Sequence, residues 1–135
     1  MAETSPGGRA RPLSPHTGIW RWHVTMAASI LNRAAGTGLY LGLLILTGWA
    51  LALASGQEAY EAYAAIWGSV PGMILLFAIT AALFYHIAMG VQHLVWDFGK
   101  GFALKSANAT AWAAFGFAAV AAVAVWAVIL TSGGQ

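Results

Sequence analysis

Two histidines, His86 and His93, stand seven residues apart in the stretch FYHIAMGVQHLVWDFG (84–99) of a chain in which only 7% of residues are charged. Seven residues make about two turns of an α-helix, so both imidazoles would leave the same helix face. A polar ring inside an apolar helix is costly, and it usually faces a partner or a cofactor. The depth at which each ring would lie in a membrane therefore indicates its possible function.

His86 lies eleven residues before Asp97, about 16 Å along a helix axis, which places it near the midplane of a bilayer core of ~30 Å. Ala82 and Gly90, one turn away on either side, leave room for a flat macrocycle whose iron the imidazole would bind. The same small residues also suit a closely packed helix to which His86 would hydrogen bond, and a proton relay is the third possibility. A six-coordinate haem iron on His86 would take its second ligand from another chain.

His93 is only four residues from Asp97, close to the predicted cytoplasmic edge of the membrane. There it could be an interfacial histidine that pairs with Asp97 at i+4. Alternatively, it could contact haem propionates or a quinone headgroup.

Ser29 and Arg33 in the stretch SILNR (29–33) are also spaced i,i+4 and would share a helix face. A hydroxyl and a fixed positive charge at the edge of the membrane could hydrogen bond a quinone carbonyl and stabilise the negative charge that forms on reduction. The alternative is an ordinary helix start in which Arg33 extends to lipid phosphates.

The composition, with 60% hydrophobic residues, predicts the elements that must position these side chains. Soluble domains contain roughly 25% charged residues, so an all-α membrane protein is expected. Three transmembrane helices are predicted at about 34–54, 70–95 and 109–130. The third is Ala-rich and is interpreted as a packing helix, and the GxxxG pattern of Gly38 and Gly42 suggests a close helix contact.

The distribution of cations predicts the orientation. The loop between the first two spans contains Glu58 and Glu61 and no cation, whereas the cations precede the first span or lie between the second and third: Arg9, Arg11, Arg21, Arg33, Lys100 and Lys105. The positive-inside rule then places the N-terminus and the 97–108 loop in the cytoplasm and the C-terminus on the opposite side. We therefore expect a cytoplasmic N-terminal segment (1–28) and a membrane domain (29–135). Six cations are too few to suggest nucleic-acid binding, and the absence of cysteine excludes thiolate ligands from this chain.

Three motifs together resemble a known family: RPLSPH (11–16), SILNRAAG (29–36) and YH…GxxHLxxDFG (85–99). They resemble the cytochrome b556 subunits of succinate dehydrogenase, the larger of its two membrane anchors. The resemblance implies that His86 is an axial ligand of haem b and that the smaller anchor subunit supplies the other. It also implies that Ser29 and Arg33 line a ubiquinone site, and that Arg33, Asn32 and His93 lie near the haem propionates. Many members have histidine where this chain has Asn32.

The resemblance further implies a place in succinate:ubiquinone oxidoreductase in the cell's inner (cytoplasmic) membrane. Succinate would be oxidised on a flavoprotein subunit, and electrons would pass through an iron–sulfur subunit to ubiquinone. This chain would anchor those subunits and supply part of the quinone site. The alternatives are an anchor of a menaquinol:fumarate reductase and a purely structural anchor without haem.

Overall fold

The computed structural model describes residues 14–16 and 18–133 and contains four helices over that part of the chain. They are α1 (Val24–Ser55), α2 (Gln57–Trp67), α3 (Val70–Asp97) and α4 (Leu104–Ser132). Helices α1, α3 and α4 are long and apolar enough to cross a membrane. The predicted all-α architecture with three membrane-spanning helices is confirmed. Residues 11–13 of the RPLSPH motif, together with Arg9, lie outside the described residues.

Glycine, serine and proline residues mark the end of α1 and the start of α3. Gly56 follows α1 with a φ of 109°, a backbone conformation that other residues rarely adopt. Ser69 caps α3 by accepting a hydrogen bond from the Gly72 amide at 3.3 Å, and Pro71 lies in the first turn of that helix. Helix α1 begins at Val24, well before the expected start of the first span at residue 34.

Helix α2 lies where the sequence predicts a loop between the first two spans. Its outer face contains Gln57 and Glu61, which are joined by a hydrogen bond of 2.6 Å. Its inner face packs on α1 through Tyr63, whose hydroxyl donates to the Ile45 carbonyl at 2.6 Å. Gly48 permits this approach, since a β-carbon there would lie 2.8 Å from the Tyr63 hydroxyl.

Helix α3 packs against both α1 and α4, and small side chains line the shared core. Alanines of α1 and α4 surround two larger side chains of α3; the set comprises Ala28, Ala35, Tyr85, Met89, Ala111, Ala114 and Ala118. The Tyr85 hydroxyl donates to the Ala28 carbonyl at 2.8 Å, and its ring stacks on Phe115 with centroids 5.1 Å apart. The interpretation of the third span as a packing helix is confirmed, because small residues let the helix backbones approach closely.

The GxxxG pattern of α1 makes a close helix contact through one of its two glycines. A β-carbon at Gly42 would lie 2.9 Å from Cγ2 of Ile79 on α3, whereas nothing lies within 4 Å of one at Gly38. Helices α1 and α3 run antiparallel, so the start of α1 and the end of α3 lie at the same end of the bundle. Much of the remaining surface is apolar and exposed, as at Leu41 and Val120, which suits lipid or further membrane helices.

Candidate functional site

The imidazole of His86 lies against the backbone of α1 at Gly36. A β-carbon at Gly36 would be 3.5 Å from His86 Cε1 and 3.9 Å from Nδ1. The side chain is half-buried, and Nδ1 is buried with no hydrogen-bond partner within the part of the chain that the structure describes. A buried polar atom of this kind usually has a partner, so Nδ1 is an unsatisfied group in an apolar setting.

The two small residues beside His86 differ in their surroundings. Ala82 packs against the core shared by α1, α3 and α4. Gly90 is exposed, and nothing lies within 4 Å of a β-carbon built there. The free space beside His86 therefore lies on the Gly90 side.

Ser29 lies on the part of α1 that faces His93, and Arg33 lies one turn further along the same side of the helix. Ser29, Arg33 and Gly36 are spaced i, i+4 and i+7, so they form one stripe along the helix. Gly36 contacts His86, and Ser29 shares a small cavity with His93. The structure thus brings the stripe of α1 and the two histidines of α3 to one flank of the α1–α3 contact.

Asn32 lies next to this stripe and is turned further towards the interior of the bundle. Its side chain is half-buried, and its Oδ1 is buried without a hydrogen-bond partner among the described residues. Arg33, by contrast, is exposed. The two neighbours in the SILNR motif therefore have different environments.

His93 hydrogen bonds back along its own helix rather than forward to Asp97. Its Nδ1 lies 2.7 Å from the Met89 carbonyl oxygen. A carbonyl only accepts, so Nδ1 carries the proton and Nε2 of a neutral ring is left as an acceptor. The ring also packs edge-on against Trp96, with centroids 5.1 Å apart. These contacts hold His93 in place near the end of α3.

A cavity of about 50 Å³ lies where the start of α1 meets the end of α3 and α4. Its lining includes four polar side chains, namely Thr25, Ser29, Gln92 and His93. Gln92 is only 7% exposed, and its Oε1 has no partner in the described part of the chain. Sequence reasoning missed Gln92, although an uncharged amide in an apolar helix directly before His93 was a visible signal.

Comparison with known families identifies the chain. The model of the succinate dehydrogenase/fumarate reductase transmembrane subunit family matches residues 8–125. The chain belongs to this family. The match extends over α1, α2, α3 and most of α4, so the family's membrane domain accounts for nearly all of the structure described here.

Several members of the succinate dehydrogenase/fumarate reductase family are similar to this chain over most of its length. A succinate dehydrogenase cytochrome b556 subunit of Rickettsia felis is 37% identical over 102 residues, which cover 76% of this chain and 79% of the relative. One of Paracoccus denitrificans is 32% identical over 123 residues, 91% of this chain and 93% of the relative. The human mitochondrial cytochrome b560 subunit is 38% identical over 96 residues, 70% of this chain and 57% of the relative. The resemblance predicted from the three motifs is confirmed, and the chain is a transmembrane subunit from a family of oxidoreductase subunits.

Proposed function

We propose that the chain is the membrane-anchor cytochrome b subunit of a succinate:ubiquinone oxidoreductase. In this proposal His86 ligates haem b together with a partner subunit, and Ser29 and Arg33 form part of the site that reduces ubiquinone. The proposal rests on the half-buried imidazole of His86 in an apolar helix, with open surface beside it at Gly90, within a family whose similar members are named as cytochrome subunits of succinate dehydrogenase.

The residues around His86 suit haem b. Imidazole is a common ligand of haem iron. The residue of α1 that lies against this imidazole is Gly36, which has no side chain to hydrogen bond it. Gly90 leaves open surface beside the ring. When bound, the haem would supply a one-electron carrier within the membrane. Arg33, Asn32 and His93 are the side chains that we assign to its propionates, as a cation and hydrogen-bonding groups.

A second protein ligand for the haem iron would come from another chain. His86 and His93 are separated by seven residues, about 10 Å along the helix, which is too far for both to bind one iron. No group of three potential metal ligands occurs among the described residues. We assign the missing ligand to the smaller anchor subunit, and we propose an iron–sulfur subunit and a flavoprotein subunit as the other partners.

The quinone site would lie at the end of the bundle where α1 begins. The Ser29 hydroxyl can hydrogen bond a quinone carbonyl, and the Arg33 guanidinium can stabilise the negative charge that develops on its oxygen during reduction. Both side chains are exposed in this chain, so they are accessible to a ligand held between subunits. Electrons would arrive from succinate through the partner subunits.

The charges at the two ends of the bundle support a cytoplasmic quinone site. Arg21 and Arg33 in the first part of the chain lie at the same end as Lys100 and Lys105 after α3, whereas Glu58 and Glu61 belong to α2 at the other end. The positive-inside rule places the cationic end in the cytoplasm. We therefore propose a multi-pass protein of the cell's inner membrane, with residues 1–28 starting on the cytoplasmic side and the C-terminus on the opposite side.

Spectra and quinone assays of the purified complex test this function. We expect a b-type band in the reduced-minus-oxidised spectrum and succinate-driven reduction of ubiquinone. A complex that assembles without the band would be a structural anchor and would refute the haem assignment. The family description also includes fumarate reductase, so faster oxidation of menaquinol with fumarate than reduction of ubiquinone with succinate would favour that alternative.

A further inference from the structure

The small cavity at the cationic end of the bundle is lined by polar side chains from two helices, among apolar ones. Thr25 and Ser29 line it from α1, and Gln92 and His93 line it from α3. Its volume is about 50 Å³, and a cavity needs only about 10–15 Å³ to hold one water molecule. The cavity therefore has room for a few water molecules.

Gln92 needs a hydrogen-bond donor that the described residues do not provide. The residue is 7% exposed, and its Oε1 is buried and unpaired. Leaving such an acceptor without a partner in an apolar interior destabilises the folded state. A water molecule in the cavity would supply the donor.

The other polar groups of the cavity can hold water in a chain. His93 donates its Nδ1 proton to the Met89 carbonyl, so a neutral ring presents Nε2 as an acceptor. The hydroxyls of Thr25 and Ser29 can each donate and accept. Two acceptors and two hydroxyls around a cavity of this size are a suitable environment for hydrogen-bonded water.

The position of the cavity connects the membrane edge with Ser29. Thr25 lies in the first turn of α1, which begins at Val24, and Ser29 lies one turn deeper on the same helix. Trp96 and Ala111 also line the cavity, so it is bounded by all three long helices. Water held there would touch the residue that we assign to the quinone.

We propose that this cavity holds ordered water that delivers protons to the quinone at Ser29, with Gln92 as the positioning residue that fixes the water. This inference rests on the proposed function. Reduction of a quinone to a quinol takes up two electrons, which come from succinate, and two protons. The water transfers a proton to a quinone oxygen and regains one from the cytoplasmic side, so no water is consumed.

Two substitutions in the assembled complex test the inference. Gln92→Met removes the amide, and Thr25→Val replaces a hydroxyl by a methyl group of similar size. Each should lower succinate-driven quinone reduction about tenfold or more, since a positioned proton donor contributes at least that much. The solvent isotope effect on quinone reduction should rise, because proton delivery becomes slower than the other steps.

Thr110→Val is the matched control, because Thr110 hydrogen bonds within its own helix to the Ser106 carbonyl and is not among the residues that line the cavity. Its quinone reduction should be normal. Succinate oxidation with a soluble dye, haem content and subunit copurification should be unchanged in all three variants. A rate of quinone reduction in Gln92→Met equal to that of the wild type would overturn the inference.

A high-resolution structure of the wild-type complex gives a second, independent measurement. Ordered water within hydrogen-bond distance of Gln92 Oε1 is expected, and a dry cavity would overturn the inference. Failure of the proposed function and failure of this inference give different results. A wild-type complex that reduces no quinone refutes the proposed function. If the wild-type complex reduces quinone but its cavity is dry, or if Gln92→Met and Thr25→Val reduce quinone normally, only the proposed delivery of protons by water is refuted.

Discussion

The His86 imidazole lies directly against Gly36, with Cε1 3.5 Å from the place that a β-carbon of residue 36 would occupy. The position of the ring is therefore limited by the backbone of α1 rather than by a side chain. A methyl group would just fit at that distance, whereas a longer side chain would have to displace the imidazole. Gly36 thus controls the orientation of the proposed haem ligand.

We predict that Gly36→Leu displaces His86 and that Gly36→Ala does not. The leucine variant should lose most of its b-type absorbance or shift it from the low-spin form, and the alanine variant should keep a normal spectrum. Gly38→Leu is the control on the same helix, since nothing lies within 4 Å of a β-carbon at Gly38. An unchanged haem spectrum in Gly36→Leu, in a complex whose subunits still copurify, would show that His86 does not depend on this contact.

The two histidines of α3 should respond differently to substitution. His86→Ala removes the proposed iron ligand and should abolish or strongly reduce the low-spin haem signal. His93→Ala removes a ring that hydrogen bonds Met89 and packs on Trp96, so the haem should remain with at most a shifted midpoint potential. Optical redox titration measures both effects. A low-spin spectrum retained in His86→Ala would exclude that residue as the ligand.

Arg33→Ala should impair the reaction with quinone more than the oxidation of succinate. Loss of one preorganised positive group near a developing negative charge typically lowers turnover by a factor of about 10² to 10³. Succinate oxidation coupled to a soluble dye should remain near normal, because that reaction does not require the membrane site. Arg21→Ala is the matched control, since Arg21 precedes α1. Equal losses of both activities in Arg33→Ala would indicate an assembly defect instead.

The three spans and the shared helix face of Ser29 and Arg33 were predictable, because hydropathy and helical spacing determine them. The i,i+4 spacing of Ser29 and Arg33 places them on one face of any helix. The sequence did not reveal which face of α1 contacts which face of α3. That the α1 stripe opposes His86 depends on the approach of Gly36, and many glycines of the chain could have provided such a contact.

Helix α2 and Gln92 show two other limits of prediction from the sequence. Helix α2 is short and packs on α1 through the hydrogen bond of Tyr63, a tertiary contact that local propensity does not report. Gln92 was overlooked because a single amide resembles an ordinary interfacial residue. Its burial at 7% exposure follows from the meeting of three helices, which only the packed structure defines.

Tyr85→Phe should weaken the contact between α1 and α3 without disturbing the core. The variant loses the hydrogen bond to the Ala28 carbonyl at 2.8 Å and retains the stacking on Phe115. Hydrogen bonds between membrane helices contribute about 0.6 kcal/mol on average and about 1.7 kcal/mol at most. Unfolding by SDS in mixed micelles measures the loss. Tyr40→Phe is the control, because Tyr40 is 64% exposed, and an equal effect of both substitutions would contradict the assigned bond.

Gly42→Ala should destabilise the bundle through a defined collision. The new β-carbon would lie 2.9 Å from Cγ2 of Ile79, closer than carbon atoms pack, and overpacking of this kind costs about 1–3 kcal/mol. Because Ile79→Ala removes the colliding atom, Gly42→Ala should be nearly harmless in that background. The coupling energy between the two sites, measured by SDS unfolding of the two single variants and the double variant, should therefore be favourable by about 1 kcal/mol or more. Additive effects within about 0.3 kcal/mol would mean that α1 and α3 separate to accommodate the methyl group, and that the close approach at Gly42 is not fixed by Ile79.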